Sequence, residues 1–183
     1  SLTLATGVTA PGLDEAVLAA TVPWPAQQRL WLAHIAGFAD AFIAAEQARA
    51  PRVVASYLER AAVGAMPLAA VNFTLTARPD RIDVMDDGSV AIFDYKSGTP
   101  PSRKQAERYD RQLLLEAVMA RAGAFPALSG AREVSDLRYI RLGGDGAEVD
   151  LPHDEATLDK VADALAGLIA LVVVTSASLS YAL

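Results

Sequence analysis

The sequence predicts an α/β fold, with a central mixed sheet of four or five strands and helices packed on its faces. Three observations predict it. Strand-forming residues alternate on both sides of an Asp86-Asp87-Gly88 turn signal, apolar residues recur at three- and four-residue steps over 102 to 122, and 52% apolar content is ample for one core in 183 residues. Nothing suggests a second domain, so residues 1 to 183 read as a single domain. Ser1-Leu2-Thr3 has neither an initiator methionine nor a basic and apolar leader, so the chain is expected to be an excerpt of a larger cytoplasmic protein.

Helices are expected near 13 to 20, 25 to 48, 102 to 122 and 155 to 173. Between the second and third, Val71, Phe73, Leu75, Ile82 and Val84, then Val90 and Ile92, mark two antiparallel strands of about 71 to 85 and 89 to 96. Gly88 suits the left-handed last position of a three-residue loop closing with a bulge. That loop sets Met85 against Ser89, Ile82 against Ile92, Asp80 against Asp94 and Arg78 against Lys96, all on one face. A two-residue Asp87-Gly88 loop would instead make Asp80 and Asp94 diagonal neighbours.

Pro100-Pro101 ends this hairpin, and Ser102-Arg103-Lys104-Gln105 has the spacing of a capping box opening the third helix. Ala106, Tyr109, Leu113, Ala117 and Ala120 form its packing stripe. Val134 to Leu142 and Ala147 to Leu151, joined through Gly143-Gly144-Asp145-Gly146, read as a second hairpin extending the sheet. Residues 164 to 183 carry no charge and could span a bilayer by length. The amphipathic approach Val161 to Leu165 and the late serines favour a buried helix followed by an irregular tail, and no membrane is expected.

Chemistry concentrates on the first hairpin. Opposed residues of such a pair have Cβ atoms about 4.5–5.5 Å apart, where like charges repel, so Asp80 and Asp94 call for something positive between them. Lys96, two residues beyond Asp94 on the same face, supplies part of it. A hard cation taking oxygen ligands supplies the rest. The bland alternative is a solvated surface hairpin with Lys96 as an ordinary cross-strand partner. Against it, Asp94 sits in Val90-Ala91-Ile92-Phe93, where burying an acid is costly unless it is paired or metal-bound.

Pro79-Asp80 followed by Asp94-Tyr95-Lys96 resembles the PD-(D/E)-x-K motif of metal-dependent nucleases. The longer run is more specific. Thr76 to Asp83, Asp87-Gly88-Ser89, Ile92 to Gly98 and Gln112-Leu113-Leu114-Leu115-Glu116-Ala117 together resemble the C-terminal nuclease domain of the AddB double-strand-break repair subunit, a RecB-like nuclease. The likeness covers about 74 to 121, and extends weakly to the Trp31 to Arg49 helix and to Leu179-Ser180-Tyr181.

This resemblance implies a restriction-endonuclease-like fold and a DNA exonuclease working with an AddA-type helicase-nuclease subunit. It implies Mg²⁺ or Mn²⁺ held by Asp80, Asp94 and the backbone carbonyl of Tyr95, with Lys96 positioning the attacking water. Gln112 matches the family glutamine that supports the site; otherwise it is a buried or rim amide. Glu59 falls where relatives carry an acid before the core hairpin and could be a metal ligand, or a solvent-facing helix glutamate. Arg78, Arg103, Lys104, Arg108 and Arg111 could line a short groove for DNA, or, on the helix, form a solvated face balanced by Glu107 and Asp110.

Two features set limits. The family's upstream Gly-Thr-x-x-His motif does not occur: Pro11 to Leu18 has no histidine, and His34 on an Ala-rich helix reads as structural. That departure keeps a second function open, an inactivated nuclease fold that binds DNA or scaffolds a helicase. Zero cysteines exclude disulfides and a cysteine-ligated iron-sulfur cluster within these residues. A net charge of −6 argues against a general DNA-coating protein, since phosphate neutralisation by Lys and Arg dominates nucleic-acid affinity.

Overall fold

The computed structural model describes residues 24–69, 72–108 and 111–180, so the helix expected near 13 to 20 lies outside the described residues. In chain order the elements are α1 (Pro25–Arg49), β1 (Val53–Leu58), β2 (Gly64–Leu68), β3 (Phe73–Ala77), β4 (Arg81–Met85), β5 (Val90–Lys96), α2 (Arg103–Arg108), α3 (Gln112–Arg121), β6 (Val134–Arg141), β7 (Glu148–Asp150) and α4 (Glu155–Ser180). Short 3₁₀ turns follow α1, β1 and α3.

One five-stranded sheet has the order β1-β4-β5-β6-β7, and β2 pairs with β3 in a separate two-stranded sheet. The β4 and β5 strands are antiparallel, with Ile82 facing Ile92 and Val84 facing Val90. At one end of the β5/β6 pair Val90 N–H donates to Glu133 O, and at the other Leu142 N–H donates to Lys96 O. Both strands therefore advance together, and this parallel pair makes the sheet mixed. The architecture is the expected one, a mixed sheet flanked by helices, consistent with a restriction-endonuclease-like fold.

The first hairpin closes as the three-residue loop. Gly88 sits at φ +82°, Met85 N–H donates to Ser89 O at 2.9 Å, and Asp87 Oδ1 accepts from the Ser89 backbone and hydroxyl. Four expectations need correction. The strand of about 71 to 85 is two strands in different sheets, because Pro79 lacks a ladder donor and the chain leaves strand geometry across Arg78-Pro79-Asp80. The 102 to 122 helix is two helices: Arg111, at φ −94° and ψ 12°, precedes a fresh start at Gln112. The last helix continues to Ser180 instead of ending near 173. The stretch around Ser56-Tyr57-Leu58 is strand, followed by a 3₁₀ turn at Glu59–Ala62, so Glu59 is not a helix residue.

The chain forms two compact units. The larger comprises Val54–Asp94, Pro101–Arg138 and the chain from Asp150 onward. Its core is built on Ile82, Val90 and Ile92 from the hairpin and on Leu113, Ala117 and Met119 from α3, all fully buried. Half of the expected capping box forms: Gln105 Oε1 accepts from the Ser102 backbone N–H at 2.9 Å, while the Ser102 hydroxyl donates to that same oxygen and the Gln105 backbone N–H donates to the Ser102 carbonyl. Gly64 is required where it stands: a Cβ there would lie 2.9 Å from Ala124 O and 2.5 Å from Phe125 Cε1.

The smaller unit comprises the chain up to Val53, Tyr95–Pro100 and Tyr139–Val149. Along α1, Trp31, His34, Phe38 and Phe42 recur at helical spacing and stack edge to face at 6.0–6.4 Å, and Phe42 reaches the Tyr95 ring at 6.3 Å. His34 Nε2 lies 3.1 Å from Leu142 O, and a Cβ at Gly143 would meet that imidazole at 2.6 Å. Burial works to lower the Arg49 pKa, but hydrogen bonds to Glu46 and Glu148 outweigh it and hold the guanidinium above its ordinary value. Among the described residues no helix is long and apolar enough to cross a membrane.

Candidate active site

Each acid of the hairpin is placed by strand alternation. Asp80 occupies the bend just before β4, and continuing the observed register one step past the Arg81/Phe93 pair aligns it with Asp94. Asp94 is only 4% exposed, inside a strand buried from Val90 to Asp94. Asp80 is half-buried. Ile82 and Ile92 form the apolar floor behind the two acids on that face of the hairpin.

The opposite face of the same hairpin carries a different acid. Asp83 is fully buried and accepts from Arg81 Nε at 2.7 Å, from the second Arg81 nitrogen at 2.6 Å and from Ser56 Oγ at 2.6 Å. The Arg81 guanidinium also lies 5.3 Å above the Phe93 ring, its direct register partner. Arg81 and Asp83 make a two-pronged, charge-assisted pairing within β4, and the Ser56 hydroxyl ties that carboxylate to β1. It is structural.

Asp80 is further anchored through its backbone. Its carbonyl accepts from the Glu59 N–H at 3.1 Å, where Glu59 turns out of β1 with φ +48°. The Glu59 side chain pairs with Arg78 Nε at 3.4 Å, both side chains well exposed. So the candidate third ligand and a candidate DNA contact are engaged with one another. Among the described residues no three His, Cys, Asp or Glu side chains gather as a metal-binding group.

Beyond Asp94, β5 runs on through Tyr95 to Lys96. Alternation gives Lys96 the same side of the strand as Asp94, and its ammonium lies 5.3 Å from the Tyr139 ring centroid. On α3, Gln112 is exposed and its Nε2 donates to Glu116 Oε1 at 3.2 Å. A cavity of about 240 Å³ is lined by Arg78, Gln112 and Glu116 together, so two of the residues singled out in the sequence share one opening. Glu116, 2% exposed, is a member of the site region that the sequence reading passed over. Its four-residue spacing from Gln112 on an otherwise apolar helix was the available signal.

The remaining basic residues are less gathered. Arg103, Lys104 and Arg111 are solvent-exposed, and Arg108 closes α2. A larger cavity of about 340 Å³, lined by residues that include Arg121, Leu151 and His153, holds none of the residues predicted for the site.

A mixed sheet with one acid at the entry to β4, a second within the neighbouring β5 and a lysine two residues past the second acid defines a class. The profile of the PD-(D/E)XK nuclease superfamily matches residues 8–177, and the chain belongs to that superfamily. Nucleases of this superfamily typically use divalent metal ions. Among curated proteins, the uncharacterized protein RT0391 of Rickettsia typhi is 28% identical over 120 residues, covering 64% of this chain and 14% of that protein. The chain thus spans about a seventh of the length of the curated relative it matches.

Proposed function

We propose that this chain is the metal-dependent DNA exonuclease domain of an AddAB-type helicase-nuclease, hydrolysing phosphodiester bonds as broken ends are processed. One observation carries the reading: the β4/β5 register, which supports it because one further step past Arg81 and Phe93 would align half-buried Asp80 with buried Asp94. The donor set fits a small hard cation. Two carboxylates and the Tyr95 carbonyl are oxygen ligands, and Mg²⁺ keeps several waters, so few protein ligands suffice. When bound, the ion would activate a water, polarise the scissile phosphate and stabilise the leaving oxygen.

The chain's own residues do the rest. Asp80 and Asp94 hold the ion, with Asp80 steadied through its carbonyl by Glu59 N–H. Lys96 orients the attacking water and offsets charge that builds on the phosphate. Gln112 borders the strand's path on the α3 side. A helicase partner of the AddA type supplies processivity that a domain of net charge −6 lacks.

One positive observation favours a second reading, an inactivated module that binds DNA or scaffolds a helicase. Glu59, the candidate third ligand, faces Arg78. A single experiment separates the two: Mg²⁺ titration by calorimetry on wild type and Asp94→Asn, then Mn²⁺-supported cleavage of linear against closed circular DNA. The exonuclease reading expects metal binding lost in the variant and digestion of linear DNA only. Metal binding without digestion would leave the scaffold.

A further inference from the structure

The cavity beside Arg78 has features that metal binding by the acid pair does not use. Leu75, Leu115 and Met119 supply apolar walls, Arg78 and Gln112 supply hydrogen-bonding groups, and Thr76 borders the opening without a polar role in it. At about 240 Å³ it falls below the range of roughly 300–1,000 Å³ that takes drug-sized ligands, so it suits one planar ring system. The site is built on rigid elements, β3 and α3, and Met119 at its base is fully buried. It also ends two residues before Asp80, and two residues of chain span at most about 7 Å.

We propose that this cavity is a nucleobase subsite, which receives an unstacked base of single-stranded DNA next to the phosphate cut at the acid pair. The assignment rests on the nuclease reading for its position and on the cavity's own chemistry for its ligand. Gln112 commits one N–H to Glu116, and that bond fixes the amide while its carbonyl and second N–H remain to meet a base edge. Buried Glu116 thereby positions Gln112 and does not itself need to touch the strand. Arg78 supplies the phosphate contact. Its ion pair with Glu59 is exposed and therefore weak, so a phosphate taking two charge-assisted hydrogen bonds displaces the carboxylate. A base inside a duplex cannot enter, because it would first have to be unstacked and unpaired.

The test needs no catalysis. 2-Aminopurine is walked through the terminal positions of a short single-stranded oligonucleotide, and fluorescence is titrated with the chain in EDTA. One position is expected to respond and saturate, the same position in wild type and Asp80→Asn, with no response from the matching duplex. Thr76→Trp, at an exposed strand position, should fill the cavity and weaken that response about tenfold or more, whereas Thr76→Val should stay near wild type. The subsite is overturned if no position responds, if the duplex responds equally, or if Thr76→Trp titrates like wild type. The two readings separate cleanly. Digestion of linear DNA without a responding position removes the subsite and leaves the nuclease, and a responding position without digestion does the reverse.

Discussion

The two faces of the β4/β5 hairpin carry acids of opposite kinds. On one, Asp83 is fully buried and its carboxylate is filled by Arg81 and Ser56 at 2.6–2.7 Å. On the other, continuing the register one step past Arg81 and Phe93 aligns Asp80 with Asp94. The first arrangement lowers the cost of burial by pairing each oxygen. The second sets two carboxylates at neighbouring positions, the arrangement that the proposed metal site requires. Burial alone therefore does not distinguish the two faces, since Asp83 and Asp94 are both buried.

The sharpest break of that comparison is Asp94→Asn. On the proposed mechanism activity should fall by roughly four orders of magnitude, about 5.5 kcal/mol of barrier, while the fold is kept because the amide has the shape of the carboxylate. Cleavage of linear DNA and a melting curve on the same sample check both halves. Full activity would remove the acid pair from the site. Lys96→Ala should cost on the order of 10²–10³ in cleavage rate with Mg²⁺ affinity retained, since it removes a group acting on the transition state and not a ligand. Unchanged turnover would return Lys96 to a packing role over Tyr139.

The Asp83 face should respond in stability instead. Arg81→Met leaves a buried carboxylate short of its strongest partner and should destabilise the fold by about 3–5 kcal/mol, measured by urea unfolding. Arg81→Met combined with Asp83→Leu should recover most of that loss, since no charge then stays buried. If the single variant melted like wild type, the two faces would not differ as described. Gly64→Ala should follow at about 1–3 kcal/mol, because its methyl would press on the Ala124 carbonyl, a backbone atom that cannot swing away.

What was legible in the sequence follows from range. The hairpin register was readable because Gly88 and the alternation of Ile82, Val84, Val90 and Ile92 are local, and α1 and the β6/β7 pair were readable for the same reason. The partition of 71 to 85 was readable in principle, since Pro79 cannot donate to a ladder, but the alternation across it masked the break. The roles of Asp83 and Ser56 were not readable. Their bond joins residues 27 apart in the chain, and nothing near either one announces the other. The meeting of Gln112 with Arg78 is of the same type: family likeness named Gln112 and the clustering of basic residues named Arg78, while only the fold gave them a shared opening.

The smallest expected effect tests a carboxylate outside both faces. Asp154 caps α4, accepting the Thr157 N–H at 2.8 Å. Hydrogen bonds from the Thr157 side chain and backbone, and more weakly the charges of Lys160 and His153, hold its pKa below the ordinary carboxylate value of 3.8 against a small opposing effect of desolvation. A group depressed on folding contributes stability that is fully present above its unfolded pKa and is lost as pH falls through the folded one. Asp154→Asn keeps a good capping side chain and removes the charge. Its unfolding midpoint should therefore sit slightly below wild type at neutral pH, and the gap should close as acid protonates Asp154. A gap that persisted unchanged at low pH would assign the cap to hydrogen bonding alone, with the charge contributing nothing.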